Sequence, residues 1–235
     1  MRTRRTVTTT TMTELTALLQ LADAAFPAGA FAHSFGLETA IADGRVGDEA
    51  ALRAWIADYL RGIVAPLDGA AFVLALRDGV AIAALDERLA AAQANAELRR
   101  GNAHLARATL ASYAAMELRS PALSAYADAL AAQRCAGQHV LAAALGYAAC
   151  GIGWQTGLTA HVTTTVATLA SVAARAVPLG QRAVAHARWA LRAQIDDAVA
   201  RAARVRSLDE LAIGAPALEI DGLRHRRLHG RLFAS

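Results

Sequence analysis

The side chains of this 235-residue chain that could carry chemistry are seven histidines, two cysteines and a serine in a suggestive setting. Ala32-His33-Ser34-Phe35-Gly36 has the order of a nucleophile elbow, G-x-S-x-G, but lacks the first glycine and sits in a helical rather than strand–turn–helix pattern. Ser34 is therefore read as a residue of a helix surface or packing seam and not as a nucleophile. His225 and His229 are four apart and would share a helix face, as a metal pair does. No third ligand lies nearby, Gly222 and Gly230 weaken a helix there, and the flanking arginines point instead to a contact segment. His33, His104, His139, His161 and His186 stand singly on helical stretches and are read as core or surface residues. A rival reading gathers His33, His139 and His161 into the pocket of a small all-α enzyme. Gly151 to Gly157 runs G-x-G-x-x-x-G with no strand before it, so it is read as a helix connection and not a dinucleotide loop. No carboxylate pair stands out as an acid–base couple. These readings assign no catalytic residue, metal or cofactor.

Composition narrows the chemistry further. Lysine is absent and all 24 basic residues are arginine, which excludes lysine Schiff bases and the P-loop. Cys135 and Cys150 have neither disulfide-scaffold number nor zinc spacing and read as buried thiols in a reducing compartment. Of the formal net charge of +4, residues 1–13 contribute three arginines and residues 222–235 four, neither stretch with an acidic side chain, so the body is acidic at −3. A nucleic-acid face runs along the folded surface; here the basicity is in the ends, which points to docking and not to nucleic acid.

The elements that must position these residues are helices. Alanine, the strongest helix former, fills 62 of 235 positions. A first amphipathic stretch ends by Pro27, a second helix is predicted over about 31–43, and Asp48 caps a third whose Leu52, Trp55, Ile56, Tyr59, Leu60 and Ile63 follow the i, i+3, i+4, i+7 rule. Pro66 is expected to break it and open another helix to Arg77. Helices follow near 80–94, 96–118, 121–134, 138–149 and 154–176, then a long one after Pro178 and a capped turn at Ser207. The 40 residues from Cys135 to Ala174 carry no charge, which raises a membrane hairpin. Their alanines, glycines, histidines and threonines favour two helices buried in a bundle. The whole reads as a single all-α domain of about ten helices: an N-terminal extension over 1–13, the body over 14–213, and an irregular basic tail over 214–235.

Against that frame, Leu18-Leu19-Gln20-Leu21-Ala22-Asp23-Ala24-Ala25-Phe26-Pro27-Ala28-Gly29-Ala30-Phe31-Ala32-His33-Ser34-Phe35-Gly36-Leu37-Glu38 resembles the opening of the urease accessory protein UreF family. The motif residues are Pro27, Gly29, His33, Ser34, Gly36, Leu37 and Glu38. Further resemblance falls at Glu97-Leu98-Arg99, at Gly137-Gln138-His139, at Pro178-Leu179-Gly180-Gln181, and at the ending from Ala215 to Ser235. It departs at Ala30, where the family has glycine, at Arg226, where it has glutamate, and at His229-Gly230, where it has Tyr-Ser. The resemblance implies a non-catalytic cytoplasmic protein that forms a homodimer, binds UreD (UreH) and recruits the GTPase UreG for nickel insertion into apo-urease. It also implies that the tail docks through Arg224, His225, Arg231, Leu232 and Phe233. Such a tail is expected to lie outside the core and to order on its partner.

Overall fold

Thr11 caps α1 (Met12–Leu21) with a closed capping box: its hydroxyl accepts the Glu14 amide at 3.2 Å, and its own amide donates to the Glu14 carboxylate at 2.7 Å. The computed structural model describes residues 11–234. Most of the extension expected over 1–13 lies outside them, and Met12 and Thr13 belong to α1. The single helix expected from about residue 31 is a 3₁₀ turn (Ala30–Ala32) followed by α2 (Leu37–Ala42). Phe35 at φ 52° and Gly36 at φ 91° put left-handed backbone between the two, which no continuous helix accommodates.

The Asp48 carboxylate accepts the Ala51 amide and opens α3 (Glu49–Tyr59). Pro66 does not break the run that follows. The backbone widens to π geometry over Leu60–Asp68 and resumes as α4 (Gly69–Arg77), 29 helical residues in all. Proline lacks the N–H for the carbonyl four residues back and its ring crowds that carbonyl; the wider turn relieves the crowding. The carbonyl so released, that of Gly62, accepts the Gly214 amide at 2.7 Å, and the Pro66 carbonyl accepts that of Ala212 at 3.3 Å. A distant segment therefore supplies what the proline removes.

α5 (Ile82–Ala92), α6 (Ala96–Ala115) and α7 (Pro121–Ala131) follow. The uncharged stretch forms α8 (His139–Ala149) and α9 (Trp154–Ala176). The β-branched run Thr163–Thr165 lies within α9, and each of its hydroxyls donates to the carbonyl four residues back. Among the described residues the one helix long and apolar enough to cross a membrane is Glu49–Arg77, with 67% of its apolar window buried; the 135–174 stretch supplies none. The long helix expected after Pro178 divides at Leu191 into α10 (Gln181–Ala190) and α11 (Arg192–Ala202). Part of the tail expected to be irregular is α12 (Pro216–His225), with Pro216 in its first turn.

All-α architecture is therefore what the described residues adopt, without a strand among them. At its centre α8 packs against α4, α6, α7 and α9, with every residue from Val140 to Tyr147 buried. Ala70, Ala71, Ala142 and Ala144 are wholly buried, so the alanine excess lets helices approach closely. At the tightest crossing even a methyl is too large: a Cβ on Gly146 would collide with the Tyr113 ring.

Candidate interaction site

α2 carries Glu38, and the first turn of α6 carries Glu97; the two carboxylates meet around one imidazole. His225, at the end of α12, is fully buried. Its Nε2 lies 2.7 Å from the Glu38 carboxylate and its Nδ1 3.1 Å from that of Glu97. The second oxygen of Glu38 accepts the Leu232 amide at 2.6 Å, and that of Glu97 accepts Arg231 at 2.7 Å. Each ring nitrogen faces an acceptor, the arrangement in which a ring donates on both sides. This is a buried charged network with a hydrogen-bond partner at every carboxylate oxygen, the condition under which such a network is tolerated in a core.

Around that centre the tail is held along its length. The Thr39 hydroxyl donates to the Asp221 carbonyl at 2.9 Å, and Arg45 pairs with the Asp221 carboxylate. Arg224 pairs with Asp43 at 2.8 Å. The Ala234 amide donates to the Ala32 carbonyl at 2.7 Å. Gly36 lies against α12 so closely that an added Cβ would sit 3.1 Å from the Gly222 nitrogen and 3.3 Å from the Leu218 carbonyl. With φ at 91°, Gly36 is fixed as glycine by conformation and by space. Phe233 is buried, with the Arg175 guanidinium 4.5 Å from its ring centroid.

The opening motif and the ending, some 190 residues apart in sequence, thus form one clasp. This corrects the expectation of a free tail. His225 and Phe233 face the interior, because the tail finds its counter-charges in the acidic body: Glu38, Asp43 and Glu97. The outer side of the clasp remains open. Ile220, Leu223, Arg224 and Arg227 fall at i, i+3, i+4 and i+7 and are exposed, as are Arg226, Arg231 and Leu232.

The other predicted residues divide between clasp and core. Pro27 offers its carbonyl to the Ser112 hydroxyl at 3.0 Å, and Gly29 takes φ 79° to start the 3₁₀ turn. His33, Ser34 and Leu37 are buried beneath the clasp. Gln138 belongs elsewhere, to a structural network at the start of α8. Buried Asp86 accepts the Ala136 and Gly137 amides and the Tyr126 hydroxyl, which in turn accepts the Gln138 amide at 2.7 Å. His139 sits with its ring centroid 5.5 Å from that of His161, against a cavity of about 40 Å³. Burial pushes His139 down to about 3 and His161 to about 4, and lowers His33, whose neighbour His104 adds to the effect. Burial thus favours the uncharged form of all three imidazoles at neutral pH. Pro178 and Gly180 lead into α10, which Gln181 opens. Cys135 and Cys150 are free, partly buried thiols, and burial raises both. Among the described residues no group of three or more His, Cys, Asp or Glu is placed to hold a metal ion.

Residues 46–192 match the UreF family. The chain is 36% identical over 221 residues to the urease accessory protein UreF of Arthrobacter sp. (strain FB24), covering 93% of this chain and 96% of the relative. It is 33% identical over 220 residues to that of Corynebacterium glutamicum (strain R), with the same coverage, and 34% identical over 234 residues to that of Ralstonia pickettii (strain 12J), covering 96% and 100%.

Proposed function

The chain belongs to the UreF family of urease accessory proteins, an accessory and not an enzymatic family, and on that premise we propose that it acts in the cytoplasm as the bridging subunit of a urease-maturation complex. In this reading it forms a homodimer, binds UreD (UreH) through the outer side of the clasp, recruits UreG, and serves nickel insertion into apo-urease. The GTPase chemistry belongs to UreG, since this chain has no lysine to build a P-loop.

The observation that carries the reading is the exposed stripe of Ile220, Leu223, Arg224 and Arg227, continued by Arg226, Arg231 and Leu232. Apolar side chains flanked by arginines, on α12 and the segment after it and held from beneath, are a pre-organised docking surface, for which little ordering remains at binding. The test separates that surface from the buried residues. Leu223→Asp and Leu232→Asp should each lower affinity for UreD at least tenfold, about 1.4 kcal/mol, in titration calorimetry with purified UreD. The melting temperature should stay within a degree or two of the parent. Unaltered affinity in both variants overturns the assignment.

A further inference from the structure

Beside the clasp lies a small pocket with no part in that network. Phe35, Tyr59, Ile63, Leu67, Leu98, Ile213 and Leu218 form its apolar wall, and Asp68, Glu219, Gln93 and Asn102 its polar groups. Three observations set its chemistry. First, neither Asp68 nor Glu219 has a hydrogen bond or ion pair among the described residues, although the pocket has no arginine or histidine in its lining. Second, Tyr59, which lines the same space, is only 6% exposed, and its hydroxyl has no hydrogen-bond partner among the described residues. Third, Asn102 donates its amide to Gln93 at 3.1 Å, and Gln93 donates to Gln138 at 3.3 Å. Each amide thereby spends one of its two N–H groups, and the Asn102 oxygen has no hydrogen-bond partner among the described residues.

We propose that this pocket binds the head of an organic cation, a guanidinium or ammonium carried on a short aliphatic stem. A guanidinium offers five donors and no acceptor, the complement of a lining whose free groups are carboxylates, an amide oxygen and a phenol. The aliphatic stem suits Ile63, Leu67, Ile213 and Leu218, and the aromatic residues Phe35 and Tyr59 line the same pocket. The cavity, about 50 Å³, is several times the roughly 10–15 Å³ that one water needs, room for a head group of a few heavy atoms.

The fold has built this place with unusual backbone. Asp68 ends the π segment Leu60–Asp68, and π turns recur at functional sites. Phe35 takes φ 52°, a left-handed conformation costly for a bulky residue and frequent at ligand clamps. Ile213 stands between Ala212 and Gly214, whose amides are bound to the π segment. Burial alone holds the Asp68 carboxyl up at about 7, and it raises Glu219 as well. A bound cation therefore draws the proton off Asp68, and between pH 6 and 8 its affinity follows the ionisation of Asp68; Glu219 is the other carboxyl of the lining, and Tyr59, which burial holds well above its usual range, stays neutral there.

The full-length chain alone suffices for the test, so its result is independent of the docking reading above. Ethylguanidinium is titrated by calorimetry at pH 8 and pH 6, with neutral, near-isosteric N-ethylurea as control. Saturable binding of the cation at pH 8, about tenfold weaker at pH 6 as Asp68 takes its proton, and none of the urea, is the expected result. Asp68→Asn should remove binding, and Glu219→Gln and Tyr59→Phe should each weaken it severalfold. Glu219 lies at the rim on α12, so its variant keeps the test valid if Asp68→Asn does not fold. No saturable binding of ethylguanidinium at millimolar concentration, equal binding of the urea, or binding untouched in the folded variants overturns the proposal. Comparing N-acetylarginine amide with ethylguanidinium identifies the source: tighter binding of the former assigns the site to an arginine of another chain, tighter binding of the latter to a free small cation.

Discussion

A single imidazole joins α2, α6 and the tail. His225 is buried between Glu38 and Glu97, each of which also holds a tail group, the Leu232 amide or Arg231. Removing one member of a buried charged network leaves the others uncompensated, at a cost of roughly 3–5 kcal/mol. Both carboxylates keep their second partner here, so His225→Ala should lose about 3 kcal/mol of unfolding free energy in urea, the lower end of that range, and His225→Gln, which keeps a donor, should recover part of it. A loss no larger than the roughly 0.5 kcal/mol of an ordinary surface change would contradict a structural role for the network. A second residue-scale effect concerns pH. His139 and His161 ionise near 6.5 in the unfolded chain but only near 3 and 4 in the fold. Between about pH 6.5 and 4 the unfolded state thus binds protons that the native state refuses, and stability falls with falling pH by up to about 1.4 kcal/mol per unit for each ring. Asp68 acts in the opposite sense, because its folded carboxyl keeps a proton up to about 7. The decisive measurement is therefore a comparison: replacing both histidines by glutamine should reduce the acid sensitivity of the urea midpoint between pH 6.5 and 4.5. Equal slopes in parent and variant would place the pH dependence elsewhere.

At the scale of elements, the sequence was legible where punctuation is local. Gly153 and Pro178 bracket α9, Ser120-Pro121 opens α7, and Asp48 opens α3, each acting through the nearest turn. It was misleading at Pro66, because the cost of a proline in a helix was met from about 150 residues away by the Gly214 amide. The clasp was hidden for the same reason. The arginines and the histidine of the tail were visible, but the carboxylates that pair with Arg224, Arg231 and His225 stand at residues 43, 97 and 38, and nothing in the local pattern marks those carboxylates as theirs. Gly62 offers a test with an unusual sign. In an exposed helix, glycine to alanine stabilises by about 1 kcal/mol. Here a Cβ would collide with the Ala215 side chain on the segment that satisfies the π turn, and overpacking costs about 1–3 kcal/mol. Gly62→Ala should therefore lower the unfolding free energy, and amide exchange at Gly214, which donates to Gly62, should quicken. A stabilised variant would show that the 212–215 segment yields easily and that the π turn does not depend on it.

For the whole molecule, the surface that joins two copies must be sought where apolar side chains remain outside. The Trp55 and Tyr59 face, prominent in the helical pattern of α3, is not available, since both are 6% exposed and their rings stack at 5.6 Å within the core. α1 is different. It packs on α8 with its inner side, while Met12, Leu15 and Leu19, at i, i+3 and i+7, are 76%, 39% and 63% exposed. A solvent-facing row of this kind costs free energy in a monomer, and pairing with the same row on a second copy about a two-fold axis removes it from water. The proposed homodimer is accordingly expected to form through α1. Leu19→Asp sets like charges facing each other across that axis and should give a monomer by light scattering at micromolar concentration, with helical dichroism unchanged. Leu223→Asp, on the outer side of the clasp, should leave the dimer intact. A parent chain that is monomeric at that concentration would remove the dimer itself. A Leu19→Asp chain that stays dimeric would move the interface off α1, to another exposed group such as Trp189 and Arg192, whose guanidinium carbon lies 3.2 Å from the indole ring centroid on α10 and α11.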